Sequence, residues 1–76
     1  MNNSLKNIMS NLFDISVDDI NDNISTENCE QWDSLQHLNL IIAIEEEFGV
    51  SLTDDDVLKI KDFKTIIDIL ENFNQS

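Results

Sequence analysis

The fold is decided by residues 32–49, which read WDSLQHLNLIIAIEEEFG. Apolar side chains recur through this stretch at three- and four-residue spacing, which is the period of an amphipathic helix. Asp33 is a favourable N-cap residue, and Gly49 can take the left-handed conformation that commonly ends a helix. The pattern therefore predicts a helix over Ser34–Phe48.

Three further helices are predicted on either side of this one. Apolar spacing indicates a first helix over residues 3–13 and a last helix over residues 63–73, the latter with Asp62 as its cap. A short helix over residues 54–60 begins after Thr53, which is followed three residues later by an aspartate in a capping-box pattern. No proline or Gly-rich linker interrupts the chain.

A long polar connection, residues 14–33, separates the first two predicted helices. Loops of this length are uncommon in small domains. Isolated apolar residues are expected to pin it onto the helices, and they are Ile15, Val17, Ile20, Ile24 and Trp32. No stretch alternates well enough to predict a strand. The sequence therefore predicts an all-α fold, a small antiparallel four-helix bundle of three main helices and one short one, as a single domain over residues 1–76.

Size and charge exclude several functions. The chain has 76 residues, a net charge of −12 and one cysteine. An acidic surface repels nucleic acid and anionic membranes, and no stretch approaches the roughly 20 apolar residues of a membrane span. Residues 59–76 hold three lysines and three acidic residues, so the whole net charge comes from residues 1–58. We expect a cytoplasmic monomer with no internal disulfide and no resident metal site, whose acidic surface binds a basic protein or a cation.

The helix over Ser34–Phe48 has two apolar faces. The face suited to the core consists of Leu40, Ile41, Ile44 and Phe48. The opposite face, which we call the outer face, consists of Leu35, Leu38 and Ile42 and is flanked by Glu45 and Glu46. Either the long connection covers the outer face, or that face is exposed and docks a partner with basic residues around an apolar groove. The sequence favours docking, because the two glutamates are poorly placed under a loop.

Ser34 is the candidate for covalent chemistry. It follows the predicted cap, where backbone N–H groups lack partners within the helix and the helix dipole favours an anion. A phosphate attached to its hydroxyl is stabilised there. On position alone, a second helix-capping serine is an equally good interpretation of Ser34. A Ser–His catalytic pair is not expected, since His37 falls on the core side of the helix and is expected to bond a backbone group. The sequence does not indicate an enzyme.

An alternative function is a small calcium-responsive, EF-hand-like interaction module. From Asp19 to Glu30, oxygen-bearing side chains fall at positions 1, 3, 5, 7, 9 and 12 of an EF-hand loop. Ile24 stands where the loop requires glycine, no helix directly follows, and there is no second loop to pair with it. Cys29 in the same segment has carboxylates on both sides, which disfavour a reactive thiolate.

The run WDSL at residues 32–35, with IEEEFGV at residues 44–50, resembles an acyl carrier protein. The resemblance extends over nearly the whole chain. It implies a carrier rather than an enzyme, with Ser34 as the attachment site of 4′-phosphopantetheine. A holo-carrier synthase, also called a phosphopantetheinyl transferase, supplies that group from coenzyme A. The arm then holds acyl groups as thioesters, and Asp33 helps to bind the transferase and its metal.

The same resemblance gives the two faces of the helix separate roles. The core face packs a bundle whose interior can admit an acyl chain. The outer face, with Asp33, Leu35, Leu38, Ile42, Glu45 and Glu46, matches the surface read by acyl transferases and synthases with basic docking patches. Fatty-acid carriers usually have acidic residues where this chain has Gln36 and Asn39. Both fatty-acid biosynthesis and a specialised polysaccharide or secondary pathway therefore stay open.

Overall fold

Four α-helices form the framework of the computed structural model, which describes residues 2–74. The predicted all-α helical bundle is confirmed, and each observed helix boundary lies within one residue of its predicted position. No strand forms among residues 2–74, where one isolated antiparallel bridge joins Ser25 to Asp62. The helices are α1 (Asn2–Phe13), α2 (Ser34–Phe48), α3 (Asp54–Lys59) and α4 (Phe63–Asn74).

Both ends of α2 form as their residue types predict. The Asp33 carboxylate accepts a hydrogen bond of 2.9 Å from the backbone N–H of Gln36. At the other end Gly49 has φ 64° and ψ 38°, and its N–H donates to the Glu45 carbonyl. Glycine takes this left-handed conformation without the strain of a side chain. These two local contacts fix where α2 begins and ends.

Side-chain caps also begin α3 and α4. Thr53 and Asp56 exchange backbone-to-side-chain hydrogen bonds, which completes the predicted capping box. Asp62 accepts a hydrogen bond of 2.7 Å from the backbone N–H of Thr65, so it caps α4 as predicted. The two helices therefore start at positions defined by neighbouring residues alone.

A buried apolar core joins all the main helices and the long connection. Its largest fully buried side chains include Phe13 of α1, Leu40 and Ile44 of α2, and Phe63 of α4. Burial of apolar surface of this kind contributes about 25 cal/mol per Å², and it is the main stabilising contribution in a small domain. The full set of buried residues is Leu5, Met9, Phe13, Ile20, Ile24, Cys29, Trp32, Leu40, Ile41, Ile44, Ile60, Phe63, Ile66 and Leu70.

The long connection is ordered by burial and by contacts with the start of α4. A single 3₁₀ turn, Val17–Asp19, lies within it and was not predicted. Ile20, Ile24 and Trp32 are buried as expected, whereas Val17 is 39% exposed because it lies on the outside of that turn. One backbone hydrogen bond, from Phe63 to Ile24 at 3.0 Å, ties the connection to the first residue of α4. A second, from Thr26 to Lys61 at 2.9 Å, ties it to the segment just before α4.

Over the described part of the chain, none of the helices combines the length and the apolar content needed to span a bilayer.

Candidate functional site

Ser34 is exposed as the first residue of α2. Its neighbour Asp33 is also exposed and holds the helix start through the bond to Gln36. The first backbone N–H groups of a helix have no intrahelical acceptor and point toward solvent. Together with the helix dipole, they create a favourable position for a phosphate ester on the Ser34 hydroxyl.

The outer face of α2 is open to solvent. Leu35, Leu38 and Ile42 are 68%, 57% and 55% exposed. The long connection does not cover them, and its residues Ile20, Ile24 and Trp32 are buried in the core instead. The alternative in which the connection covers this face is therefore wrong. Adjacent exposed aliphatic side chains on one helix are typical of a protein-binding surface.

The two glutamates that flank the outer face differ in environment. Glu45 is half-buried, and its carboxylate accepts a hydrogen bond of 2.8 Å from the backbone N–H of Leu52. Glu46 is exposed. Periodicity placed both residues beside the apolar side chains, but it did not show the contact with Leu52, which depends on the turn at Gly49. Glu45 thus stabilises the segment after α2 in addition to any role at the surface.

His37 connects α2 to both of its neighbours. Its Nε2 lies 3.1 Å from the carbonyl oxygen of Val57 in α3, as expected for a histidine bonded to the backbone. The indole N–H of Trp32 donates to the Nδ1 of His37 over 3.0 Å. The sequence did not predict this second bond. Since both ring nitrogens have partners, the structure gives His37 no role as a base for Ser34.

A groove of about 520 Å³ lies beside Ser34, between the end of the long connection, α2 and α3. We call it the Ser34 groove. Its apolar wall includes Leu38 and Leu58, and Lys61 contributes a positive charge. Its volume falls within the usual range of a small-molecule site.

Comparison with known proteins identifies the family. The profile of a family described as "Phosphopantetheine attachment site" matches residues 3–70, which include the whole of α2. The chain belongs to the acyl carrier protein family. Members of this family are carriers rather than enzymes, and the group that they carry is 4′-phosphopantetheine.

Similarity to individual acyl carrier proteins extends over most of the chain. The acyl carrier protein of Buchnera aphidicola subsp. Schizaphis graminum is 37% identical over 78 residues, which covers 99% of each chain. That of Nitratidesulfovibrio vulgaris (strain DP4) is 37% identical over 68 residues, or 90% of each chain. An acyl carrier protein homolog of Ureaplasma parvum is 45% identical over 40 residues, covering 53% of this chain and 52% of its own. The carrier function follows, with acyl chains as cargo and partner enzymes that handle them.

The calcium interpretation of residues 19–30 finds no support in this carrier. Ile24, at the position that needs glycine, is buried in the core, and so is Cys29. Within the described residues, no group of three or more histidine, cysteine or acidic side chains could hold a metal ion. The side chain of Asn28 instead bonds the backbone of Ser25 and Asn23. These contacts make the segment a packed connection rather than a cation-binding loop.

Proposed function

We propose that Ser34 is the residue that bears the 4′-phosphopantetheine arm. The observation that carries this assignment is its exposed hydroxyl on the first residue of a capped helix, beside the Ser34 groove. A transferase can reach an exposed hydroxyl, and the start of α2 stabilises the phosphodiester that results. Ser34 also lies within the part of the chain that matches the attachment-site family.

Four other serines of the described residues fit an attachment site less well. Ser10 and Ser25 are half-buried, and their hydroxyls take part in hydrogen bonds with the backbone. Ser16 is exposed, but its hydroxyl accepts a hydrogen bond from the backbone N–H of Asp18, and the 3₁₀ turn that it caps is only three residues long. Ser51 is exposed, but it lies outside any helix, two residues before Thr53, the N-cap of α3.

The chain supplies the acceptor oxygen and the position of the arm. In the attachment reaction, a bond forms between Ser34 Oγ and phosphorus while the phosphoanhydride bond of coenzyme A breaks. The hydroxyl proton leaves to a base, and adenosine 3′,5′-bisphosphate is the leaving group. Once attached, the arm supplies a terminal thiol that holds acyl groups as thioesters. Asp33 fixes the start of α2 through one carboxylate oxygen and offers the other to the transferase and its metal.

We further propose that partner enzymes dock on the outer face of α2. Leu35, Leu38 and Ile42 supply an exposed apolar contact on the same helix as Ser34. Glu46 and the half-buried Glu45 supply negative charge at its edge. A transferase, acyl transferase or synthase with basic residues around an apolar depression complements this surface. Such enzymes belong to fatty-acid biosynthesis or to a specialised pathway, and the native acyl group distinguishes the two.

Intact mass spectrometry tests the assignment of Ser34. The purified apo-protein is incubated with coenzyme A, magnesium and a broad-specificity phosphopantetheinyl transferase. We expect the wild type and Ser51→Ala to gain the mass of one arm and Ser34→Ala to gain none. Ser51→Ala is the matched control, because it also removes an exposed hydroxyl. An equal mass gain in Ser34→Ala, or none in the wild type, contradicts the assignment.

We place the carrier in the cytoplasm, where thiols are kept reduced. The single cysteine of the chain, Cys29, is a free thiol buried in the core. A reducing compartment keeps such a thiol from oxidation and mispairing. Fractionation of the native cells, followed by antibody detection, should find the protein with cytoplasmic markers. Recovery with membranes or in the culture medium contradicts this location.

A further inference from the structure

The inner end of the Ser34 groove is formed by Trp32, His37 and Ile60, of which Trp32 and Ile60 are buried and His37 is half-buried. Trp32 and His37 both line the groove. Trp32 is only 3% exposed, and its ring lies nearly parallel to the imidazole, with 6.2 Å between centroids and 25° between planes. Behind it, the Trp32 ring packs against the buried ring of Phe13 at 5.6 Å. The rings of Trp32 and His37 therefore meet edge to edge through a hydrogen bond, and Phe13 supports the Trp32 ring from within the core.

Two hydrogen bonds hold the rings of Trp32 and His37 in place. The indole N–H of Trp32 can only donate, so Nδ1 of His37 is the acceptor in the 3.0 Å bond between them. The ring hydrogen of His37 then lies on Nε2, which donates to the carbonyl of Val57 at 3.1 Å. Val57 lies near the end of α3, where helix carbonyls lack intrahelical partners. The chain of bonds thus links the long connection, α2 and α3 across the bottom of the groove.

Opening the contact between α2 and α3 is unfavourable for several reasons at once. Separating α2 from α3 at this point breaks the bond from His37 to Val57. It leaves polar groups without partners in a partly buried place, and unsatisfied groups there destabilise a protein strongly. It also disturbs the contact between Trp32 and Phe13, since protein interiors are closely packed.

We propose that Trp32 and His37 close the inner end of the Ser34 groove and so restrict this carrier to short acyl groups. This inference rests on the proposed attachment of the arm at Ser34. A short acyl group fits in the outer groove, against Leu38 and Leu58. A long chain does not enter the core while the bond between His37 and Val57 is intact, and it stays in contact with solvent or with the partner enzyme.

The test compares acyl forms of the carrier that differ only in chain length. Wild type and variants are loaded with acetyl- or octanoyl-phosphopantetheine from the matching acyl-coenzyme A, and intact mass confirms the loading. Failure to load contradicts the assignment of Ser34, so it is seen separately from any effect of chain length. The urea midpoint of each form is then measured by circular dichroism, together with the fluorescence of Trp32, the single tryptophan of the chain.

We expect the acetyl and octanoyl forms of the wild type to have the same urea midpoint and the same tryptophan emission. In His37→Ala, we expect the octanoyl form to unfold at a higher urea concentration than the acetyl form, because a chain that enters the core stabilises the folded state. Leu70→Ala, which removes a buried side chain that does not line the groove, is the control and should show no dependence on chain length.

Two results overturn the proposal. One is a wild-type octanoyl form that is already more stable than the acetyl form. The other is a loaded, folded His37→Ala whose two acyl forms have the same midpoint. If His37→Ala does not fold, His37→Leu takes its place, since it keeps a side chain of similar size, removes both hydrogen bonds of the imidazole and retains Trp32 as the fluorescent reporter.

Discussion

Asp33 caps α2, and two substitutions distinguish this capping role from the effect of its negative charge. Its carboxylate caps α2 directly before Ser34. Asparagine caps a helix about as well as aspartate, whereas alanine does not. We expect Asp33→Ala to lower the free energy of unfolding by about 1 kcal/mol, as measured by urea denaturation, and Asp33→Asn to leave it nearly unchanged.

The same pair of variants tests the proposed contact of Asp33 with the transferase. Asp33→Asn should be loaded more slowly than the wild type in an intact-mass time course, although its stability is unchanged, because it lacks the negative charge. Loading of Asp33→Asn at the wild-type rate would limit Asp33 to its capping role.

The free energy of unfolding at acid pH depends measurably on Asp62. The pKa of its carboxyl lies below the ordinary value of 3.8. The largest cause is a hydrogen bond from the Thr65 side chain, followed by one from the Thr65 backbone N–H, and Lys64 makes a smaller contribution. A lowered folded-state pKa stabilises the protein above the unfolded-state pKa, and this contribution is lost as the pH falls through the folded-state value.

We therefore expect the wild type to lose more stability than Asp62→Asn as the pH falls from well above 3.8 to well below it. Urea titrations at a series of pH values measure the difference. Parallel pH profiles for the two proteins contradict a role for the Asp62 charge. Asparagine keeps the capping oxygen, so the comparison reports on charge rather than on loss of the cap.

At the scale of the element, one side of α2 packs into the core, and the opposite side, the outer face, is the proposed docking surface. Glu46 lies beside the outer face, and the exposed Glu47 lies about 100° further round the helix, away from it. Glu46→Lys should raise the transferase KM several-fold with little change in circular dichroism. Glu47→Lys makes the same change in net charge and should have a smaller effect. Equal effects of the two variants would show that overall charge, not this face, governs docking.

The C-terminal end of α2 depends on backbone conformation at one position. Gly49 has φ 64°, and no atom lies within 4 Å of the place where a Cβ would stand. A substitution there meets no clash, so its effect comes from the left-handed backbone alone. Gly49→Ala should lower the free energy of unfolding by about 1 kcal/mol, with Gly49→Asn intermediate. Denaturation curves for both variants measure this, and an unchanged Gly49→Ala contradicts the argument.

The helices could be predicted from the sequence because the signals that define them are local. Asp33, Gly49 and Thr53 each mark a helix end through contacts within a few residues. The path of the long connection could not be predicted, since it depends on pairings such as that of Ile24 with Phe63, which are far apart in the chain.

Some features of the candidate site could likewise be predicted from the sequence, and others could not. Only the structure shows that the outer face is exposed, since periodicity left open that the long connection covers it. The position of Ser34 at the start of α2 was predicted. The bridge from Trp32 through His37 to Val57 was not, because it requires the position of α3 relative to α2. Periodicity also did not show that Glu45 bonds Leu52, which depends on the chain reversal at Gly49.

At the scale of the whole molecule, like charges repel one another. The net charge of −12 comes entirely from residues 1–58, which contain α2 and the long connection. Salt screens this repulsion, so added sodium chloride should raise the urea midpoint of the free protein. It should also slow loading by the transferase, because the same screening weakens attraction to a basic partner. A urea midpoint that does not change with salt contradicts this account of the charge.

The central claim is that this chain carries its arm on Ser34, and the mass of the native protein tests it most directly. The protein is isolated from its own cells, its intact mass is measured, and fragmentation locates any added group. Lys6 and Lys59 bracket a stretch without lysine or arginine, so trypsin leaves Ser34 in one defined peptide. The account predicts a single 4′-phosphopantetheine, free or acylated, on Ser34. An unmodified native protein, or an arm on any other residue, would contradict it.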